Sequence, residues 1–237
     1  MTSRHAVVET LTPIRPTNCG IMNISILGTK AAGKGTQIRR LVGNFNLVYY
    51  SPGEMFRQAA KRRTSLGLLA EQVMSRGELV PDDVVNGLVQ EWLWTTSPNQ
   101  SIVFDGFPRT LTQAEFLDLA FKDLQRELDA VIFLEVSDNT VVERLSGRRI
   151  CRLCLDEFHL VFAPFTTCPH QKCQGEHLEP LAEDKPEVVL GLVNAFKTDI
   201  QPVLEFYGNR GKLLRMDGDG NVDTVHYRLI NAISPFR

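Results

Sequence analysis

A short apolar run, Ile24-Ser-Ile-Leu27, leads straight into Gly28-Thr-Lys-Ala-Ala-Gly33-Lys34-Gly35-Thr36, and that into Gln37-Ile-Arg-Arg-Leu-Val42 with helical spacing of its apolar residues. Strand, glycine-rich turn and helix start is the context that turns a pattern into a phosphate site. Backbone N–H groups at such a turn point into one concavity, and the helix N-terminus adds partial positive charge. Gly33 and Gly35 let the backbone approach an anion closely. Lys34 brings a mobile full charge, and Thr36 a hydroxyl for a hydrated magnesium ion. The bland alternative is a glycine-rich turn that binds nothing; the Lys-Gly-Thr ending argues against it.

Other apolar runs repeat the strand signal. Ile102–Phe104, Val131–Leu134 and Leu213–Met216 read as strands, the first two buried on both faces. Helical spacing falls between the strands, over 36–44, 53–61, 68–75, 82–94, 111–120, 139–145, 187–207 and 222–232. The alternation predicts an α/β fold with a parallel sheet, helices on both faces and ligands outside the carboxyl ends of the strands. Ser51 with Glu54 fits a capping box ahead of the second helix. Residues 150–186 break the alternation. Rich in Cys, His, Pro and Phe, they read as an inserted module.

At 237 residues the chain is long enough for one domain with insertions. Its 26 Lys and Arg against 28 Asp and Glu give a net charge of −2, which favours neither nucleic acid nor a membrane surface as partner. The apolar runs are too short to span a bilayer. Five cysteines, an odd count, and no apolar secretory segment point to a reducing cytosol rather than a disulfide framework. Residues 1–21 lack periodicity and are expected to be a tail or a misassigned start, with Met22 directly before the first strand. No exposed apolar helix stripe stands out, so a monomer is expected.

A second motif is Ser101-Ile-Val-Phe-Asp105-Gly-Phe-Pro-Arg109-Thr. A strand ending in Asp105 can hold magnesium through water beside the phosphate loop. Arg109, after a turn set by Pro108, can fork onto a phosphate. In the inserted module, Cys151-x-x-Cys154 precedes Cys168-Pro-His170-Gln-Lys-Cys173. Thiolates from two paired elements can build a tetrahedral zinc site in place of a core too small to form. His170 is an alternative ligand, and four free thiols the bland reading. His159 reads as packing.

With these motifs in order, the chain resembles the adenylate kinases, nucleoside monophosphate kinases of the long form, from about Met22 to the C-terminus. The resemblance rests on the phosphate loop through Gln37, Ser51-Pro-Gly53-Glu54-Met55-Phe-Arg57, Gly77-Glu-Leu-Val80-Pro81-Asp82, Asp105-Gly106-Phe107-Pro108-Arg109-Thr-x-x-Gln113-Ala114, Glu143-Arg144-Leu-x-Gly147-Arg148-Arg149, the lid cysteines, and Met216-Asp217-Gly218. It implies a P-loop kinase with a five-stranded parallel sheet. The core would comprise 22–50, 81–147 and 187–237, with a monophosphate-binding arm at 51–80 and a lid at 148–186. The implied reaction is MgATP + AMP ⇌ 2 ADP.

The resemblance also assigns roles. Gly28, Ala32, Gly33, Lys34, Gly35 and Thr36 would cradle the ATP phosphates, with Asp105 at the magnesium. Arg144 would lie against the ATP adenine and Arg148 reach its phosphates. Arg57 and Arg109 would hold the AMP phosphate. Ser51, Gly53, Val80 and Gly106 would line the AMP site, and Gln113 would read the adenine edge. The metal set would be Cys151, Cys154, Cys168 and Cys173, although the family's second pair is spaced more tightly.

The pattern breaks at four places. Ala31 stands where the family usually has Gly, so its methyl would crowd the turn if φ is positive. Pro52 replaces a Thr. Between Arg152 and Arg210 there is no arginine. The two that close onto the transferring phosphate in the family fall at Leu181 and Leu192. Lys185 and Lys197 are the nearby cations, but a lysine lacks the bidentate fork. Low turnover is therefore expected. The alternatives are a kinase for another monophosphate or donor, and a nucleotide-binding protein that transfers nothing.

Overall fold

The computed structural model describes residues 20–75, 79–154, 157–162, 164–168, 171–181 and 184–236. Cys19, Gly77, His170 and Glu183 lie outside these. Five strands, β1 (Asn23–Leu27), β2 (Val48–Tyr50), β3 (Ile102–Asp105), β4 (Ala130–Glu135) and β8 (Leu213–Asp217), form one parallel sheet in the order β2-β3-β1-β4-β8. Ile24 in β1 aligns with Val103 on one side and Ala130 on the other. The chain winds to one side of β1 first and then to the other. The strand order therefore switches at its carboxyl end, where an open α/β sheet leaves a crevice.

β1, β3 and β4 are buried almost throughout because helices cover both faces. One face carries α1 (Lys34–Phe45) and α8 (Val222–Ile233), whose Ile38, Leu41, Val225 and Leu229 pack on Ile24, Ile26, Ile132 and Leu134. The other carries α4 (Asp82–Thr95), α5 (Leu111–Asp123) and α7 (Pro186–Gly208), which bury Val89, Leu117, Phe121 and Tyr207 against Phe104, Val131 and Phe133. A third, smaller cluster joins Val141 and Leu145 of α6 (Asp138–Ser146) to Val189 and Val193 of α7.

Two outgrowths stand beside the core. α2 (Pro52–Lys61) and α3 (Ser65–Ser75) pack on each other. β5 (Arg148–Cys151), β6 (Glu157–His159) and β7 (Leu178–Glu179) make a separate antiparallel sheet in the order β6-β5-β7. The eight helices fall where the spacing puts them, within a few residues at each end. Neither β2 nor any of the three strands of the small sheet is signalled by an apolar run. Among the described residues, no helix is long and apolar enough to cross a membrane.

Candidate functional site

The loop between β1 and α1 closes tightly over the sheet. A side chain at Gly28 would meet the Leu134 carbonyl oxygen at 2.9 Å and the Ala32 methyl at 3.1 Å. Gly33, at φ 94°, caps α1 without a side chain, so no capping group occupies the helix N-terminus. Ala31 does sit at positive φ, 61°. Left-handed backbone costs an alanine about 1–2 kcal/mol. Its methyl packs against the small α6–α7 cluster, and its carbonyl accepts Arg144 Nη1 at 3.1 Å. The loop thus tolerates the missing glycine through contacts on its outer side.

Lys34 folds back over its own loop, with Nζ donating to the Gly28 and Thr29 carbonyls, both at 2.8 Å. Burial lowers its pKa from 10.5 to about 8; Asp105 opposes that shift and Arg109 adds to it. β3 ends in Asp105, aligned with Ile26 of β1. A Cβ at the next residue, Gly106, would lie 3.8 Å from Lys34 Cε and from Arg109 Nε and Nη2. The ammonium chain and the guanidinium therefore flank one backbone position beside the phosphate loop. Burial also lowers the Arg109 pKa, with Asp105 opposing and Arg57 adding to the shift. Arg57 itself pairs with Glu54, Nη2 to Oε2 at 2.9 Å. The capping box is half formed: Ser51 Oγ accepts the Glu54 N–H at 3.3 Å, but the Glu54 carboxylate turns to Arg57.

Three residues near these groups were assigned no role at the site from the sequence. Ser25, fully buried in β1, donates its hydroxyl to the Phe107 carbonyl at 2.6 Å and pins the turn that carries Arg109. Tyr49, on the short β2, donates to Asp105 Oδ2 at 3.3 Å. Asp82, the first residue of α4, takes Gln113 Nε2 at 2.7 Å and the Thr110 hydroxyl at 2.7 Å. No local pattern signals a partner 82, 56 or 31 residues away. Gln113 is itself buried, and its Oε1 accepts the Arg109 backbone N–H at 2.8 Å. Val80 is buried just before Asp82, and Gly53 lies in the first turn of α2.

On the other side of the loop, Arg144 joins the Ala31 carbonyl to those of Gly218 and Gly220, at 3.3 and 3.4 Å from Nη2. Arg148, at the start of β5, forms a bidentate pair with the buried Asp184. Neither leucine at the absent-arginine positions is deeply buried: Leu181 is partly covered, and Leu192 on α7 is 38% exposed. Lys197 is committed to Asp138 at 2.6 Å, and Lys185 stands exposed at the N-cap of α7.

Beside the small antiparallel sheet, the sulfurs of Cys151, Cys154 and Cys173 lie within 4.8 Å of one another, Cys151 and Cys173 at 3.4 Å. Tetrahedral thiolate ligands at about 2.3 Å from zinc sit roughly 3.8 Å apart, so the set fits that ion. Cys168 lies outside the mutual triad; its buried sulfur interacts with Cys173 and accepts the Lys172 N–H at 3.4 Å. The Cys154 N–H, aimed at the Cys151 sulfur, lowers that thiol's pKa. The Gly175 N–H favours the Cys173 thiolate, but desolvation and the neighbouring Cys151 and Cys168 sulfurs push it up to about 11. His159 packs on Phe162, and its Nδ1 accepts two backbone N–H groups.

A parallel sheet with a phosphate loop at its switch point, and a lysine and an arginine meeting in front of it, defines a P-loop protein that handles nucleotide phosphates. The adenylate kinase family model matches residues 26–212. Adenylate kinase of Enterococcus faecalis is 40% identical over 207 residues, covering 86% of this chain and 95% of its own length. That of Staphylococcus epidermidis is 40% identical over 212 residues, with 90% and 99% covered. That of Bacillus pumilus is 41% identical over 208 residues, with 86% and 94% covered. The chain belongs to the adenylate kinase family.

Proposed function

We propose that this chain transfers the γ-phosphoryl group of MgATP reversibly to AMP, giving two ADP. The observation that carries the proposal is the meeting of Lys34 and Arg109 across Gly106, next to Asp105, with Arg57 close enough to shift Arg109. Three cations around one carboxylate suit two polyanions that must be brought end to end. The loop amides from Gly28 and from Ala32 to Thr36 hold the donor phosphates, with Lys34 swinging from its two carbonyls onto them. Asp105 and the Thr36 hydroxyl meet the water shell of the magnesium that arrives with ATP. Arg57 and Arg109 grip the AMP phosphate and aim its oxygen in line. Gln113 faces the adenine edge, one hydrogen bond from the backbone of Arg109. Catalysis is then positioning and charge neutralisation, and no side chain acts as nucleophile.

Arg144, anchored on the phosphate loop and the turn after β8, suits the face of the ATP adenine. Arg148 suits its phosphates once released from Asp184. The lid cysteines suit a structural zinc, which when bound would cross-link two loops of a sheet with little core of its own. Among the described residues every cysteine is a free thiol, which accords with a cytosolic enzyme, read here as a monomer.

A coupled assay of ADP formation from ATP and AMP, with Lys34→Ala as control and metal analysis on the same sample, tests the proposal. Lys34-dependent turnover supports it. A panel of other monophosphates and GTP tests the acceptor and donor. One observation favours a second reading, a nucleotide-binding protein without turnover: Leu181 and Leu192 stand where the phosphate clamp is expected, and Arg148 is held by Asp184. Tight binding of a bisubstrate adenosine polyphosphate with no ADP formed would establish it.

A further inference from the structure

The Gln113 carboxamide lies in a closed ring of hydrogen bonds. Its Oε1 accepts the Arg109 N–H at 2.8 Å, and its Nε2 donates to Asp82 Oδ1 at 2.7 Å. Asp82 Oδ2 accepts the Thr110 hydroxyl at 2.7 Å, and the Thr110 oxygen accepts the Gln113 backbone N–H at 3.2 Å. An amide's oxygen and nitrogen are assigned from their partners. Here both partners have a fixed sign. A backbone N–H only donates, and a carboxylate only accepts. Turning the amide over would set NH₂ against N–H and oxygen against carboxylate at a side chain only 3% exposed. The Thr110 hydroxyl closes the ring in the same sense: its oxygen is taken by the Gln113 N–H, so its proton goes to Asp82.

The locked amide keeps one N–H and one oxygen lone pair unused. A 6-aminopurine offers a matching edge, since its exocyclic amine donates to the oxygen and N1 accepts the N–H. A 6-oxopurine presents the inverse, an acceptor at O6 and a donor at N1. It would pair only with the overturned amide.

We propose that Asp82 is a specificity-determining positioning residue, which fixes the Gln113 carboxamide so that the monophosphate site accepts a 6-aminopurine and rejects a 6-oxopurine. The inference rests on the reading that Gln113 meets the base. Asp82 does not touch substrate; it acts from the N-terminus of α4, where a carboxylate is also favoured by the helix dipole.

Binding of AMP and of IMP to the full chain, measured by calorimetry, tests this without any need for turnover. The native chain is expected to prefer AMP by roughly 100-fold, a ratio set by unmatched buried polar groups. Asp82→Ala narrows the preference to about 10-fold or less, through weaker AMP binding and stronger IMP binding. Asp82→Asn restores most of it, because its carbonyl still accepts Nε2–H and its amide can donate to Thr110. A loss of fold alone would weaken both nucleotides together and leave the ratio unchanged. Should Asp82→Ala not fold, Asp82→Ser replaces it: a hydroxyl that both donates and accepts removes the carboxylate's half of the lock and leaves the Arg109 N–H alone to set the amide. An unchanged ratio in these variants, alongside a Gln113→Ala variant that loses AMP affinity, overturns the role of Asp82 alone. A Gln113→Ala variant with native AMP and IMP affinity overturns the base-reading role of Gln113 and this inference together.

Discussion

Arg148 faces Asp184 through two parallel hydrogen bonds, Nε to Oδ2 and Nη2 to Oδ1, each 2.7 Å. The Asp184 side chain is 2% exposed and that of Arg148 15%. The pair ties β5 to the approach of α7. Removing one partner of a buried pair leaves the other charge uncompensated, at about 3–5 kcal/mol. Asp184→Ala is therefore expected to destabilise the chain by about 3 kcal/mol in a denaturant titration. The double variant with Arg148→Ala should cost less than the sum of the two singles. Strict additivity would mean that the pair carries no coupling.

The leucines at 181 and 192 give a gain-of-function test. An arginine that closes on a transferring phosphoryl group is worth about 10³–10⁵ in rate in related enzymes. Leu181→Arg with Leu192→Arg is expected to raise kcat at least about 10-fold while leaving AMP affinity near its native value. Lys197 pairs with Asp138 at 2.6 Å on the surface, and a lysine lacks the bidentate fork. A coupled assay at saturating ATP and AMP reads the change; an unaltered kcat sinks the idea that these two positions limit the rate.

Much of this molecule could be read from local sequence, and the reasons differ by residue. The phosphate loop, Asp105 and Arg109 are legible because the motif and its strand-turn-helix context lie within a few residues. β2 is not, since Val48–Tyr50 is three residues long and only Tyr50 is buried. The partners of Ser25 and Asp82 are hidden for another reason. These are Phe107 and Gln113, which the fold brings near and the sequence keeps apart. The four cysteines announce a cluster but not its shape: three sulfurs converge, and Cys168 stands to one side. The effect of Ala31 follows from its φ, which no residue pattern specifies.

The cysteine cluster predicts a metal-dependent lid. Purified chain is expected to carry about one zinc per molecule, as a single tetrahedral thiolate site would. Chelation should lower the melting temperature and expose residues 148–186 to proteolysis while the P-loop core stays protected. Cys151→Ser should reproduce both effects without chelator, because Cys151 is fully buried and its sulfur meets both Cys154 and Cys173. Metal-free protein with an unchanged melt and cleavage pattern would show that the sulfurs pack as plain thiols.

Lys34 makes nucleotide binding depend on pH in a range where most lysines are silent. Burial pulls its pKa down to about 8. A bound polyphosphate favours the ammonium, so binding near pH 8 draws in a proton, and affinity falls as pH rises through that value. Stability of the free protein runs the other way. Below pH 8 the folded and unfolded chains both carry the charge, and the burial cost is present in full. Between 8 and 10.5 the folded state releases a proton that the unfolded state keeps, so the contribution of this residue to stability rises with pH. ADP without magnesium is the suitable probe, because its phosphates are already ionised. Its affinity is expected to drop about 10-fold or more between roughly pH 7 and 9.5, with proton uptake seen as a buffer-dependent binding enthalpy. Lys34→Ala should bind more weakly at pH 7 and show neither the slope nor the uptake. A native chain whose ADP affinity is flat across that range, as in the variant, would place the ammonium away from the phosphates.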